Sequence, residues 1–316
     1  MDRGTNADPR NEQDSRVMRL NWTPNASASV LHAAEAIHLH HLKLIDTRLS
    51  DAIAPYAANL GAWIENMAHF QAPRLWYLLV GNAANIDSNQ DLADSVIRKF
   101  GLNTTDPRIS VQLMGLIADL EAAFNPIYPK FLEQLPMRAR PLQEQWLGYG
   151  QGLLAHLGRL THKNLLVDEA RVVLLQPAVG GSGVAHLELN LVRTEAVLTN
   201  PMVELPEVVR LAWMLSQLNL ELPGNSDHIG TNLISRLGPL AMLPATLAAA
   251  EVLELSRCNE SMMELAIEQW HIPVPKDPDV HAQLVPAVMD WWETYLQTRP
   301  TMGTALQALA KMLKLQ

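Results

Sequence analysis

From Ser27 the chain takes on helical spacing, with Val30, Ala34, Ile37, His41 and Ile45 within one broad face at about 100° per residue. Pro55 and Pro73 mark new helix starts, the second opening Arg74–Ala84. Ser88 with Asp91 three residues on reads as an N-cap with an acidic partner, and Gly101 after Phe100 as the stop. Asp106-Pro107 combines a cap with a first-turn proline and starts a helix through about Phe124. Asn125-Pro126 opens a short helix ending before Pro136, and another runs from Pro141 to Leu160.

The period then changes. Arg171–Leu175 is a short β-type run, Gly180-Gly-Ser-Gly183 a turn, and Val184–Val192 alternates. Leu187, Leu189 and Leu191 share one face of that alternation; His186, Glu188 and Asn190 share the other. This predicts a half-buried β-hairpin, with an extension into Glu195–Leu198. After Asn200-Pro201 the helical signal returns over 206–220, 226–237, 240–256, 259–271, 280–297 and 302–314. No fixed repeat period is present, which argues against a solenoid. The expected class is mainly α (α+β): a multi-helix globular protein with a small antiparallel hairpin or sheet in the middle. Residues 1–26 read as a disordered polar tail. An N-terminal helical region (27–163) and a β-hairpin plus C-terminal helical region (164–316) are expected to pack as one compact unit.

Composition narrows this picture. Of 316 residues, 48% are hydrophobic but only 5% aromatic, so the core must be mostly Leu, Ala, Val, Ile and Met, which favours helix. The formal net charge is -9 without a basic face, so neither nucleic acid nor an anionic membrane surface is the expected partner. The longest uncharged stretch, Leu237–Ala250, contains Pro239 and Pro244 and is shorter than the roughly 18–20 residues of a membrane span. Met1–Arg19 lacks the apolar core of a secretory signal, so a cytoplasmic location is expected. The single cysteine, Cys258, excludes an intramolecular disulfide and a thiolate metal cluster.

Histidines cluster at His32, His38, His40 and His41. His38 and His41 lie about 60° apart on a helix, and Glu35 precedes His38 in a Glu-x-x-His pair, as Glu268 precedes His271. Two such pairs furnish the ligands of carboxylate di-iron bundles, so Glu35, His38 and His41 are a candidate metal set. Chance yields such pairs readily, and His271 stands before a proline break, so no cofactor is expected on balance. Gly180–Gly183 precedes strand rather than helix, which leaves out the helix N-terminus a phosphate cradle needs. Ser182 is not in a nucleophile elbow, since position 184 is Val. Gly148, Gly150 and Gly152 have no preceding strand and read as packing or a turn. His186, Glu188 and Asn190 could line a cleft beside the hairpin.

One segment resembles a known family. Ala196-Val-Leu-Thr-Asn-Pro201 followed by Arg210-Leu-Ala-Trp-Met-Leu-Ser-Gln-Leu218, within residues 184–220, resembles the hairpin-plus-helix segment of the zincin metallopeptidases. In those enzymes the helix carries His-Glu-x-x-His, two imidazoles for zinc and a glutamate as general base. The framework positions Leu211, Ala212, Leu215 and Leu218 match; the functional ones hold Trp213, Met214 and Gln217. The resemblance therefore implies an inactivated relative. The sequence reading is a non-catalytic cytoplasmic interaction or scaffold protein, with a protein partner and an open oligomeric state. Its alternatives are a metal-dependent helical enzyme using Glu35, His38 and His41, and a small-molecule binding protein with an apolar pocket near the hairpin.

Overall fold

Capping chemistry sets where the helices begin. In the computed structural model, which describes residues 18–39, 46–103, 106–196, 202–222, 229–275 and 277–315, Asn25 accepts from the Ala28 N–H (2.7 Å). That cap starts α1 (Ala26–His38) directly after strand β1 (Arg19–Pro24). Asp46 caps α2 (Thr47–Ala68), and α3 (Ala72–Ala83) follows with Pro73 in its first turn. Ser88 caps α4 (Asn89–Phe100), which stops at Gly101 in the left-handed region (φ 89°), as its sequence predicts. Asp106 and Pro107 open α5 (Pro107–Phe124). Next come α6 (Phe131–Arg138) and α7 (Arg140–Gln145), which runs through the π-helical turn Trp146–Gly150 into α8 (Gln151–Leu160).

Three strands, β2 (Glu169–Leu175), β3 (Gly183–His186) and β4 (Leu191–Glu195), precede α9 (Glu207–Leu215). Five more helices follow: α10 (Thr231–Val252), α11 (Glu260–Gln269), α12 (Pro278–Ala282), α13 (Leu284–Thr298) and α14 (Met302–Met312). The fold is thus mainly helical around one small sheet, and buried apolar residues of both halves, from Leu31 and Ile53 to Leu247 and Leu306, form one continuous core.

The sheet has strand order β1-β2-β4-β3, with β1, β2 and β4 parallel and β3 antiparallel to β4. Register places Asn21, Arg171, Leu191 and His186 in one row and Thr23, Val173, Arg193 and Val184 in the next. Paired residues share a face. This face therefore gathers Arg171, Arg193, Glu195 and His186, and it lies against α1 and α3. The opposite face, including Gly183, meets α9.

Several expectations are corrected. Residues 18–26 are not tail: β1 is an edge strand held by β2, 150 residues away in sequence. Residues 1–17, His40, His41, Ile45, the Leu198 extension, Asn200-Pro201 and Pro223-Gly224 lie outside the described residues. Pro55 stands inside α2 rather than at a start. An interior proline costs about 3 kcal/mol, but Leu49, Ile53, Leu60 and Ile64 are all buried, each worth roughly 1.5–3 kcal/mol. The same balance carries α10 through Pro239 and Pro244, merging two expected helices, and α6 through Pro136. Leu233–Val252 of α10 is, among the described residues, the stretch long and apolar enough to cross a membrane; most of it is buried within the protein.

The hairpin is also rebuilt. Gly180–Gly183 does not turn β2 back on β3; β2 pairs with β4, in parallel, and the antiparallel pair is β3 with β4. The expected strand Val184–Val192 breaks at a 3₁₀ turn, Leu187–Leu189, closed by Asn190 in the left-handed region (φ 48°). Asn tolerates that conformation, and its Nδ2 donates to the Glu169 carbonyl (2.9 Å). Alternating Leu and polar residues suit a tight turn with half-buried leucines as well as a strand, and the local pattern does not separate the two.

Candidate functional site

Every residue of α9 is buried. Its first turn carries Glu207, favourable near the positive end of the helix dipole, and the Val208 N–H donates to Gln145 Oε1 (3.3 Å), supplying a cap from α7. Trp213, Met214 and Gln217 are each no more than 3% exposed. Trp213 Nε1 donates to the Pro239 carbonyl (2.8 Å), and its ring lies 5.3 Å from that of Trp270. Gln217 Nε2 donates to the Trp213 carbonyl (3.0 Å). Met214 sits over Gly183 so closely that a Cβ there would fall 2.6 Å from its sulfur. The three positions are filled by side chains used within the fold.

Beside them lies a buried polar network centred on the loop between β2 and β3. Glu195 Oε1 accepts from the N–H groups of Ala178 (2.9 Å) and Val179 (2.8 Å), and Oε2 from those of Gly180 (2.6 Å) and Gly181 (3.1 Å). Both glycines have positive φ (87° and 100°), the backbone region that suits glycine and lets successive N–H groups turn to one side. Arg210 holds the loop from the other side. Its Nη1 donates to the carbonyls of Gly181 and Ser182 (both 2.6 Å), its Nε donates to Glu207 Oε2 (2.7 Å), and its Nη2 donates to the same oxygen.

On the sheet face toward α1, Arg193 Nη2 donates to Glu35 Oε2 (2.7 Å) and Nη1 meets His32 Nδ1 (3.1 Å). A guanidinium can only donate, so Nδ1 accepts, and the ring hydrogen belongs on Nε2, which donates to Glu195 Oε1 (3.0 Å). Glu35, Arg193, His32 and Glu195 thus form one chain of bonds. Burial by itself would raise the Glu195 pKa. The His32 bond and the loop N–H groups outweigh it and hold the carboxyl down at about 2.

The candidate metal set is not assembled by the described residues. Glu35 is engaged by Arg193; His38 Nε2 pairs with Glu65 Oε1 (3.2 Å) and its ring lies 5.9 Å from Trp76; His41 is outside the described residues. Among the described residues no three His, Cys, Asp or Glu side chains are grouped for a metal ion. His271 follows α11 with positive φ (53°) near the Glu195 loop, and burial lowers its pKa.

The candidate cleft residues separate. His186 is buried, stacked on Tyr77 (4.4 Å between centroids) and set against Gly81, with no hydrogen-bond partner at either ring nitrogen among the described residues. Burial, and then the Arg193 charge, push its pKa well below the ordinary value. Glu188 and Asn190 are exposed. Burial and the neighbouring Glu188 raise the Glu221 carboxyl to about 7. The crevice beside the loop, lined by Gly181, Met202, Leu205, Glu207, Gln269 and Trp270, encloses ≈ 10 Å³, room for about one water. A wider depression of ≈ 660 Å³ lies at the start of α4, lined by Asn85, Asp87, Ser88, Asp91, Asp94 and Arg98 among others.

Arg193, Glu195, Glu207 and Arg210 are not picked out by sequence reasoning. A signal was present: Arg193 and Glu195 stand two apart in one strand, so both charges must face the same side of the sheet. The chain matches no protein-family model, no curated protein and no solved structure.

Proposed function

We propose that this chain is a non-catalytic interaction or scaffold protein on a zincin-like hairpin-plus-helix framework whose catalytic positions have been filled. The observation that carries this reading is the burial of Trp213, Met214 and Gln217, each bonded or packed inside the fold. A hydrolytic zinc site needs imidazoles aimed at an open position that admits water and substrate. Here an indole, a thioether and an amide occupy those positions, and β3 and β4 lie directly against α9. The framework is supported by that packing and by the matching leucines, Leu211, Leu215 and Leu218, all buried. Phe70 (90% exposed), Val203 (87%) and Leu147 (83%) are the side chains offered as protein contacts. The reading carries with it a cytoplasmic setting and a protein partner rather than nucleic acid or membrane, in keeping with the net charge of -9.

The test is a peptidase screen of the full chain on casein and fluorogenic peptides after equilibration with Zn²⁺, Mn²⁺ or Fe²⁺, with bound metal quantified by mass spectrometry. The expected result is substoichiometric metal and no saturable turnover. Turnover that saturates with substrate and depends on metal would overturn the proposal. Its loss in Glu35→Gln or His38→Ala would favour the metal-dependent enzyme instead.

A further inference from the structure

Four consecutive backbone N–H groups, from Ala178 to Gly181, converge on the two oxygens of Glu195 at 2.6–3.1 Å. A run of N–H groups turned to one side is the geometry by which backbone binds carboxylate and phosphate. The run does not depend on Glu195 alone for its shape. Arg210 grips the Gly181 and Ser182 carbonyls from the outside, and the Gln176 N–H is fixed by Ser29 Oγ (3.0 Å). His32 Nε2 adds a fifth donor, itself positioned by Arg193. The nearby carboxylates are already engaged, Glu207 by Arg210 and Glu35 by Arg193, which mutes their repulsion of an anion in the loop.

We infer that residues 178–181 form an anion-binding nest whose native ligand is the chain's own Glu195 carboxylate, and that a small free monocarboxylate takes its place when that side chain is shortened. Atom counting selects the ligand. Glu195→Ala removes a methylene and a carboxylate beyond Cβ, the heavy atoms of acetate. Formate leaves a void, and butyrate overfills the space in a site where Glu195 is only 1% exposed. This inference does not rest on the non-catalytic reading above.

The experiment is thermal unfolding of full-length Glu195→Ala titrated with sodium acetate, beside the wild type. Sodium chloride at matched ionic strength and acetamide, the neutral isostere, serve as controls. A ligand of the native state alone shifts the unfolding equilibrium by 1 + [L]/Kd, so acetate at about ten times its Kd is expected to lower the unfolding constant of the variant about tenfold. Formate should act more weakly, butyrate not at all, and the wild type should not respond. Acetate acting no better than chloride or acetamide overturns the inference. Should Glu195→Ala fail to fold, amide hydrogen exchange in the wild type and in Glu195→Gln decides. Selective loss of protection at residues 178–181 in the variant supports the nest, and unchanged protection there overturns it.

Discussion

Nε2 of His32 lies 3.0 Å from Oε1 of Glu195, joining α1 to β4 across 163 residues at a point where neither side chain is more than 3% exposed. Each partner is held by a second group: His32 by Arg193, Glu195 by the loop backbone. The bond therefore ties the N-terminal helices to the sheet and the sheet to the loop that α9 clamps through Arg210. Removing one member of such a network leaves the others buried without partners, which costs more than the bond itself contributes.

Stability should depend on acid through Glu195. Its folded pKa, about 2, is below the ordinary 4.5, so its contribution is fully present above pH 4.5 and is lost as pH falls toward 2. The difference corresponds to on the order of 3 kcal/mol. Urea unfolding of wild type and Glu195→Gln at pH 7, 4.5 and 3 should show the gap between them narrowing at the lowest pH. A constant gap would overturn this, since it requires the carboxyl to have the same pKa in the folded and unfolded chain.

His186 should work against the fold in mild acid. Its pKa is depressed by burial, so the native state favours the neutral ring, and the stability present above about pH 6.5 falls as pH drops below it. Neither ring nitrogen has a partner among the described residues. His186→Phe keeps the stack on Tyr77 and removes both unsatisfied atoms, so it should match or exceed wild-type stability at pH 7, by up to about 1 kcal/mol. The advantage should widen toward pH 5. Chemical denaturation at the two pH values measures this, and a variant clearly weaker at both would show that the ring nitrogens are used.

Gly183→Ala should destabilise by about 1–3 kcal/mol, because its Cβ meets Met214 Sδ at 2.6 Å and the Arg193 carbonyl at 3.1 Å. Combining it with Met214→Ala should cost less than the sum of the two single changes, since the sulfur that must move is gone. A double-mutant cycle on unfolding free energies reads the coupling, and simple additivity would place the strain at the carbonyl instead.

Arg210→Lys should be far from conservative. One guanidinium bonds Glu207 and two carbonyls at once, a fork that an ammonium cannot reproduce. The expected loss is roughly 3 kcal/mol, the scale for breaking a buried charge pair. It should come with faster hydrogen exchange at residues 178–182. A loss under about 1 kcal/mol would show that water or the substituted ammonium replaces the lost bonds.

Helix caps were the most legible part of the chain. Asp106-Pro107 and Ser88 with Gly101 act over three or four residues, and local chemistry is enough to place them. Interior prolines are less legible, because whether Pro55, Pro136 or Pro239 bounds a helix depends on how much apolar surface lies beyond it, which is a tertiary quantity. The turn assigned to Gly180–Gly183 was a true irregularity with the wrong role. Gly180 and Gly181 do supply positive φ, but they bend the backbone around a carboxylate rather than reversing a strand.

By itself, then, the sequence determined that this protein is mainly helical with a small β element within about residues 171–192, and that the helical stretch after it carries Trp213, Met214 and Gln217, none of them ionisable. These follow from periodicity, caps and residue type, all short-range. Only the tertiary structure decided that Arg19–Pro24 completes the sheet, that β2 lies parallel to β4, and that Glu35, Arg193, His32 and Glu195 meet. Parallel pairing and buried charge networks join residues as much as 163 positions apart. Their partners are chosen by burial, where a charge must find its complement or not be there at all.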